Sequence, residues 1–298
     1  MLAKRPPLKR YLTDPLTALA AALVYALFRL LPLRRASAVG GALGRAVGPR
    51  LKVSERARRN LKNAFPNKTP EEIAAIVTAM WDNLGRLVGE YPHLSAIDVY
   101  DPNGPVRVTG AENVDLLRDD GKPGIFFSGH IANWEIVSLG ATQRDLPLDR
   151  IYRAANNRLV EWLYRRGRAV VEGALIPKGA DGARQLLKSL RGGNHLGMLV
   201  DQKMNDGIPV PFFGRDAMTA PALAELALRY DCPVVPARVR RLAGATFRLE
   251  IEPPLDFTPT GDKHADVAAL MAMVNARLES WIRDTPEQWL WLHNRWPE

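Results

Sequence analysis

From about residue 105 onward, short apolar runs alternate with amphipathic stretches. "GIFFSG" (124–129) is a continuous apolar run between glycines, the pattern of a strand covered on both faces, and a helical stretch follows from near Asn133. The alternation repeats in "RIYRA" then "NRLVEWLYRRG", and in "ALIPKG" then "DGARQLLKSLRGG". After these come "LGMLVDQ", "TAPALAELALRY", "PVVPARVR" and the long amphipathic "DVAALMAMVNARLESWIRD". Strands alternating with helices predict an α/β fold with a mixed central sheet flanked by helices. "ATFRLEIEPP" and its arginine-rich predecessor predict a hairpin at one edge. Upstream, residues 53–91 read as two helices: Pro66 breaks the first, and Thr69-Pro70-Glu71-Glu72 opens the second with an N-cap, a first-turn proline and first-turn acids.

The N-terminal fifth has a different texture. "PLTALAAALVYALFRLLPL" (15–33) is apolar up to Phe28, Arg29 interrupts it, and Leu30–Leu33 resumes. A bilayer span needs roughly 20 apolar residues, so this stretch predicts a helix attached to a membrane, tilted or lying in the interface. Basic residues flank it on both sides (Lys4, Arg5, Lys9 and Arg10; Arg34 and Arg35), with no small-residue cleavage site to mark a removable signal. The predicted organisation is therefore an N-terminal membrane-attached helical segment, 1–50, followed by an α/β domain, 51–298.

Charge sharpens that division. The net charge is +9, but residues 1–62 carry a balance of +12 and the remainder −3. The basicity belongs to the apolar helix and its flanks, which fits the anionic cytoplasmic leaflet of a membrane. A nucleic-acid partner is not expected, because no recognised module accompanies the charge. With 47% apolar and 24% charged residues the chain has ample material for a core, and disorder is excluded as its general state. A lone cysteine, Cys232, rules out an internal disulfide and favours a reducing compartment.

The candidate chemistry sits directly after "GIFFSG", in "SGHIANWE" (128–135). Ligands of open α/β sheets gather at the carboxyl ends of strands. His130 falls in the strand–helix turn and Glu135 in the first helical turn, where its carboxylate is expected to fold back onto the imidazole N–H. That arrangement fixes the ring tautomer and leaves the other nitrogen to take a proton from a hydroxyl. The helix N-terminus adds N–H groups for an anionic oxygen. Taken alone, the spacing equally fits a polar turn residue capping a helix. A metal site is not expected, since the remaining histidines are scattered and offer no third ligand. "IPVPFFGRDAMTAP" (208–221) is read either as a tight turn with buried Phe or as a loop ordering over an acyl chain, with Phe212 and Phe213 as its apolar wall. "QWLWLHNRW" is expected to pack the C-terminus against the sheet, and His195 to lie in an exposed turn.

"GHIANWE" (129–135), "IYR" (151–153), "MLVDQ" (198–202), "VPFFGRDAMT" (210–219), "CPVVPARV" (232–239) and "PEQWLWLHNRW" (286–296), in this order, resemble the bacterial lipid A late acyltransferases. That group is itself similar to the glycerolipid acyltransferases with an H-x-x-x-x-D/E motif. The resemblance implies a glycerolipid-acyltransferase-like fold and an acyltransferase using acyl carrier protein as donor and a hydroxyl of a Kdo-bearing lipid A precursor as acceptor. It also implies no cofactor and a place on the cytoplasmic side of the inner membrane. His130 and Glu135 would be catalytic. Arg153, Arg166 and Arg168 suit phosphate or carboxylate recognition, with Arg165 a further member of the cluster. Asn133, Asp201, Gln202, Phe212, Phe213 and Thr219 complete the expected substrate contacts. Another glycolipid, an ornithine lipid or a lysophospholipid is the alternative acceptor, since the pair dictates the reaction and not the acceptor.

Overall fold

Residues 13–296 are described by the computed structural model, so the basic residues Lys4, Arg5, Lys9 and Arg10 lie outside the described part. The apolar stretch 15–33 forms α1 (Asp14–Leu30), and a second helix that its pattern did not mark, α2 (Leu33–Val47), begins after Pro32, which stands at the N-cap of the second and cannot continue the first. Among the described residues no helix is long and apolar enough to cross a membrane. Helices α3 (Ser54–Ala64) and α4 (Pro70–Glu90) follow as the sequence predicts. Thr69 and Glu72 form a reciprocal capping box at the start of α4, with N–H···O distances of 3.3 and 2.8 Å.

The α/β part then runs β1 (Val106–Thr109), α5 (Glu112–Asp119), β2 (Ile125–Ser128), α6 (Glu135–Thr142), β3 (Leu148–Tyr152), α7 (Arg158–Gly167), β4 (Leu175–Pro177) and α8 (Ala180–Arg191). It continues with β5 (His195–Leu199), β6 (Lys203–Phe212), β7 (Arg215–Thr219), α9 (Ala222–Tyr230), β8 (Val234–Ala243), β9 (Thr246–Ile251) and α10 (Lys263–Asp284). The described residues build a seven-stranded sheet in the order β1-β9-β8-β2-β5-β3-β4. Strands β8, β2, β5, β3 and β4 are mutually parallel. The antiparallel hairpin expected at one edge is β8–β9, and β1 covers its outer side, parallel to β9. The mixed sheet is thus parallel in its centre. β2 is buried along its whole length, which is why its sequence is apolar without alternation.

Residues 208–219 are not a loop. They form the hairpin β6–β7, whose two-residue turn, Phe213-Gly214, has φ of +54° and +69°. Paired positive φ values give a hairpin turn whose twist matches its strands. His195 is likewise not in an exposed turn: it opens β5, is buried, and its Nε2 lies 2.9 Å from the Leu117 carbonyl.

The boundary proposed at residue 50 falls just after α2, and α2 is packed closely onto α4. Small residues make this possible. A Cβ on Gly85 would stand 2.1 Å from the Gly40 carbonyl oxygen, and one on Gly40 would stand 2.2 Å from the Gly85 oxygen. Both obstacles are backbone atoms, so relief means moving the helices apart. Gly85→Ala is therefore expected to lose more through overpacking, about 3 kcal/mol, than the roughly 1 kcal/mol it gains in helix propensity. A melting temperature equal to or above that of the wild type would refute this packing.

Candidate active site

The register of the central strands assembles the site. Ser128 at the end of β2 pairs with Leu199 at the end of β5, so the residues two positions further on, His130 and Asp201, emerge side by side at the carboxyl edge of the sheet. The His130 Nδ1 lies 2.8 Å from Asp201 Oδ1, and the His130 backbone N–H donates to Asp201 Oδ2 at 2.8 Å. The Trp289 indole N–H donates to the same oxygen at 2.7 Å. Asp201 is fully buried, and burial alone would raise its pKa. The His130 ring, the His130 backbone N–H and the Trp289 indole outweigh that and hold the carboxyl far below its usual range. An ionised carboxylate only accepts, so His130 carries its proton on Nδ1 and presents the Nε2 lone pair.

On that outer side the Gln202 amide nitrogen lies 3.4 Å from His130 Nε2 and 3.2 Å from His293 Nε2. Lys178 donates to the Gln202 Oε1 at 3.4 Å, which turns the amide N–H groups toward the two imidazoles. Burial, then the neighbouring His130 ring, push the His293 pKa down. His130 itself retains some exposure, and the Trp134 ring meets it edge-on at 4.9 Å.

The turn between β2 and α6 is braced by the chain that follows α10. Ala132 N–H donates to the Gln288 carbonyl at 2.9 Å, Leu290 N–H to the His130 carbonyl at 3.1 Å, and Ile131 bridges Trp289 in antiparallel fashion. Ala132 has a left-handed φ of +49°, uncommon for a residue with a Cβ, and these bonds enforce it. Trp289, Trp291 and Trp296 are all buried, as the packing of the C-terminus against the sheet requires.

Several expected contacts are corrected by this geometry. Glu135 does not orient His130. Beyond the reversal at Ala132 the chain enters α6 with the Glu135 carboxylate directed at α7, where it forms a buried ion pair with Arg168. Burial alone would lower the Arg168 guanidinium; Glu135 beside it reverses this and holds it above its ordinary value. Arg168 also lies 4.2 Å over the Tyr164 ring, so both its charge and its flat face are engaged within the protein. Asn133 is completely buried and donates to Glu90 Oε2 at 3.0 Å. The Glu90 carboxylate also receives Arg241 and, at 2.7 Å, the Ser37 hydroxyl. Asn133 thus braces the turn from inside.

Asp201 is the acid on His130 and not a surface contact. Phe212 and Phe213 are buried in an aromatic cluster, Phe212 stacked on Trp296 at 5.7 Å and Phe213 set edge-on to Phe65 at 5.4 Å. Thr219 is buried under Arg295, which donates to its hydroxyl at 2.9 Å. Arg153 and Arg166 are exposed, as a binding role requires, with Arg166 5.6 Å over the Trp162 ring. Arg165 is tied to Tyr152 and Glu161. His293 was the residue whose place in the site the linear pattern did not announce; Asp201 was expected there from its place at a strand end, and the pairing of β2 with β5 adds that it is His130 it meets. Among the described residues, no group of three or more His, Cys, Asp or Glu is arranged to hold a metal ion.

The assembled site is a base with an ionised partner at a strand terminus, the arrangement used to activate a hydroxyl. Comparison with known proteins places the chain in a family. Relatives include a lipid A biosynthesis palmitoleoyltransferase of Escherichia coli, 27% identical over 86% of this chain and 83% of that protein. A lipid A biosynthesis acyltransferase of Haemophilus influenzae is 23% identical over 89% and 83%, and a lauroyltransferase of Escherichia coli is 26% identical over 80% and 76%. The crystal structure of a 1-acyl-sn-glycerophosphate acyltransferase from Thermotoga maritima superposes only loosely, with a TM-score of 0.38 at 14% identity over 83% of this chain and 98% of that one. The family model for bacterial lipid A biosynthesis acyltransferases matches residues 4–298, and the chain is an acyltransferase belonging to that family.

Proposed function

We propose that the protein moves a fatty acyl chain from the thioester of acyl carrier protein to a hydroxyl of a Kdo-bearing lipid A precursor, at the cytoplasmic face of the inner membrane. The observation that carries the mechanism is the pairing of His130 with Asp201 at the carboxyl end of β2. His130 Nε2 takes the proton of the acceptor hydroxyl as its oxygen attacks the thioester carbonyl. The imidazolium so formed is stabilised by Asp201. The tetrahedral intermediate collapses with cleavage of the C–S bond, and the proton passes from His130 to the leaving sulfur. The products are the ester and the free carrier thiol. The start of α6 supplies helix N-terminal N–H groups suited to the intermediate's oxyanion.

In this scheme the Glu135–Arg168 pair fixes the first turn of α6 and the end of α7 relative to each other, and Gln202 donates to the base until the acceptor hydroxyl replaces it. Exposed Arg153 and Arg166 are the candidates for the acceptor's anionic groups. The apolar α1 with its basic flanks supports attachment to an anionic membrane surface. Mass spectrometry of lipid A from a deletion strain tests the acceptor: a missing acyl ester is expected, and an unchanged spectrum would remove lipid A from the proposal.

His130→Ala should lower transfer from acyl carrier protein by about 10²–10⁴-fold with little change in melting temperature, since the ring is partly exposed. Asp201→Asn should bring a loss in the same range; wild-type activity in either variant would dismiss the pair. Glu135→Gln should act chiefly on stability, because it strands a buried guanidinium, at a cost of about 3–5 kcal/mol. An unaltered unfolding curve would mean that the ion pair does not form. Finally, Asp201 is held below the ordinary carboxylate range, so the stability it contributes is present at neutral pH and is lost as pH falls below about 4. Asp201→Asn should flatten that acid limb of the stability curve; an acid limb as steep as that of the wild type would contradict this assignment.

A further inference from the structure

Helix α1 is an apolar helix that the protein leaves mostly uncovered. Its contact stripe is Asp14, Ala18, Ala21, Tyr25 and Phe28, and of its residues only Phe28 is buried. Leu16, Leu19, Leu23 and Leu27 are all more than half exposed, and no charged residue lies between Asp14 and Arg29. Helix α7 lies beside it. The Asn157 side chain donates to the Asp14 carbonyl at 2.7 Å and lies 3.0 Å from the Thr17 hydroxyl, tying the start of one helix to the start of the other.

Two large apolar side chains on α7, Leu159 and Trp162, are 53% and 61% exposed and share a helix face at i, i+3. The cations Arg158, Arg165 and Arg166 are exposed on the same short helix, while its acid, Glu161, accepts from the Ala155 N–H and pairs with Arg165. An apolar centre, an indole and a basic rim are what an interfacial helix presents to anionic headgroups. A second copy of the chain is a poorer occupant, because a two-fold contact through α7 would set these arginines against one another.

We propose that α7 is a second membrane-contacting element, and that the protein meets an anionic bilayer through α1 and α7 together with Trp162 at headgroup depth. The proposal rests on the membrane reading given above and extends it to a helix that the basic N-terminal fifth does not include. It has a geometric consequence for the site. Arg168, which clamps Glu135, is the residue next after α7, so the helix that would face the lipid leads directly into the side chain that holds the start of α6.

Trp162 makes this measurable, because of the seven tryptophans it alone is classed as exposed. The full chain is mixed with vesicles of phosphatidylethanolamine and phosphatidylglycerol carrying brominated acyl chains. Quenching of tryptophan fluorescence is expected in the wild type and should largely disappear in Trp162→Phe, which still sediments with the vesicles. Leu159→Glu combined with Trp162→Glu should weaken co-sedimentation at least about ten-fold while transfer to a detergent-dispersed acceptor stays within about two-fold. Quenching that survives in Trp162→Phe, or undiminished binding of the double Glu variant, would overturn the role of α7. If that binding persists while Leu19→Glu with Leu23→Glu releases the protein, only this inference fails; if the wild type does not sediment at all, the membrane reading fails with it. A lipid-free dimer that Trp162→Glu dissociates would overturn it in favour of a second copy.

Discussion

Asp201 is a carboxylate with no exposed surface that gathers three N–H donors, two from His130 and one from Trp289. A buried charge of this kind persists only when it is fully hydrogen-bonded, because desolvation otherwise outweighs what its partners return. Satisfying it therefore fixes the ring of His130, the backbone of the turn that carries it, and the indole of the C-terminal segment. The central sheet brings the first two together through the register of β2 against β5, and the aromatic packing of the last residues delivers the third. The chemistry of the site and the closure of the fold draw on the same four hydrogen-bonding groups.

A second buried carboxylate plays the corresponding part on the inner face of the turn. Glu90, at the end of α4, binds Arg241 of β8, Ser37 of α2 and Asn133 between His130 and Glu135. The N-terminal helices are thus joined to the turn that carries His130 through hydrogen bonds and not only through apolar contact. Together with the close approach of α2 and α4 at Gly40 and Gly85, this makes α2 part of the body that shapes the site.

The period and length of the apolar runs were enough to place the helices and the central strands, and the position of His130 just past a fully apolar run marked it as a residue at a strand's carboxyl edge. What stayed hidden is non-local. β5 pairs with β2 although β3 and β4 lie between them in the chain, so the neighbour relation that puts Asp201 on His130 has no local signature. Glu135 stood closer in sequence and fitted the same chemical role. The left-handed Ala132 decides against it, and nothing about an alanine announces a positive φ. Of the two readings of residues 208–221, the tight turn with buried Phe is the one that forms. A Phe-Gly pair between prolines is also compatible with a loop, and the aromatic partners from the distant C-terminus and from Phe65, just after α3, decide for a hairpin turn folded inward.

The brace formed by Gln288, Trp289 and Leu290 also sets an order of events during synthesis. The turn at His130 acquires its hydrogen-bond partners from a segment more than 150 positions later in the chain. Helix α1 leaves the ribosome long before that segment is made. Until that segment has been made and has packed, the turn that carries His130 lacks the indole and the carbonyl that hold it. The shape of this turn is thus a property of the whole folded chain and not of the β2–α6 unit alone.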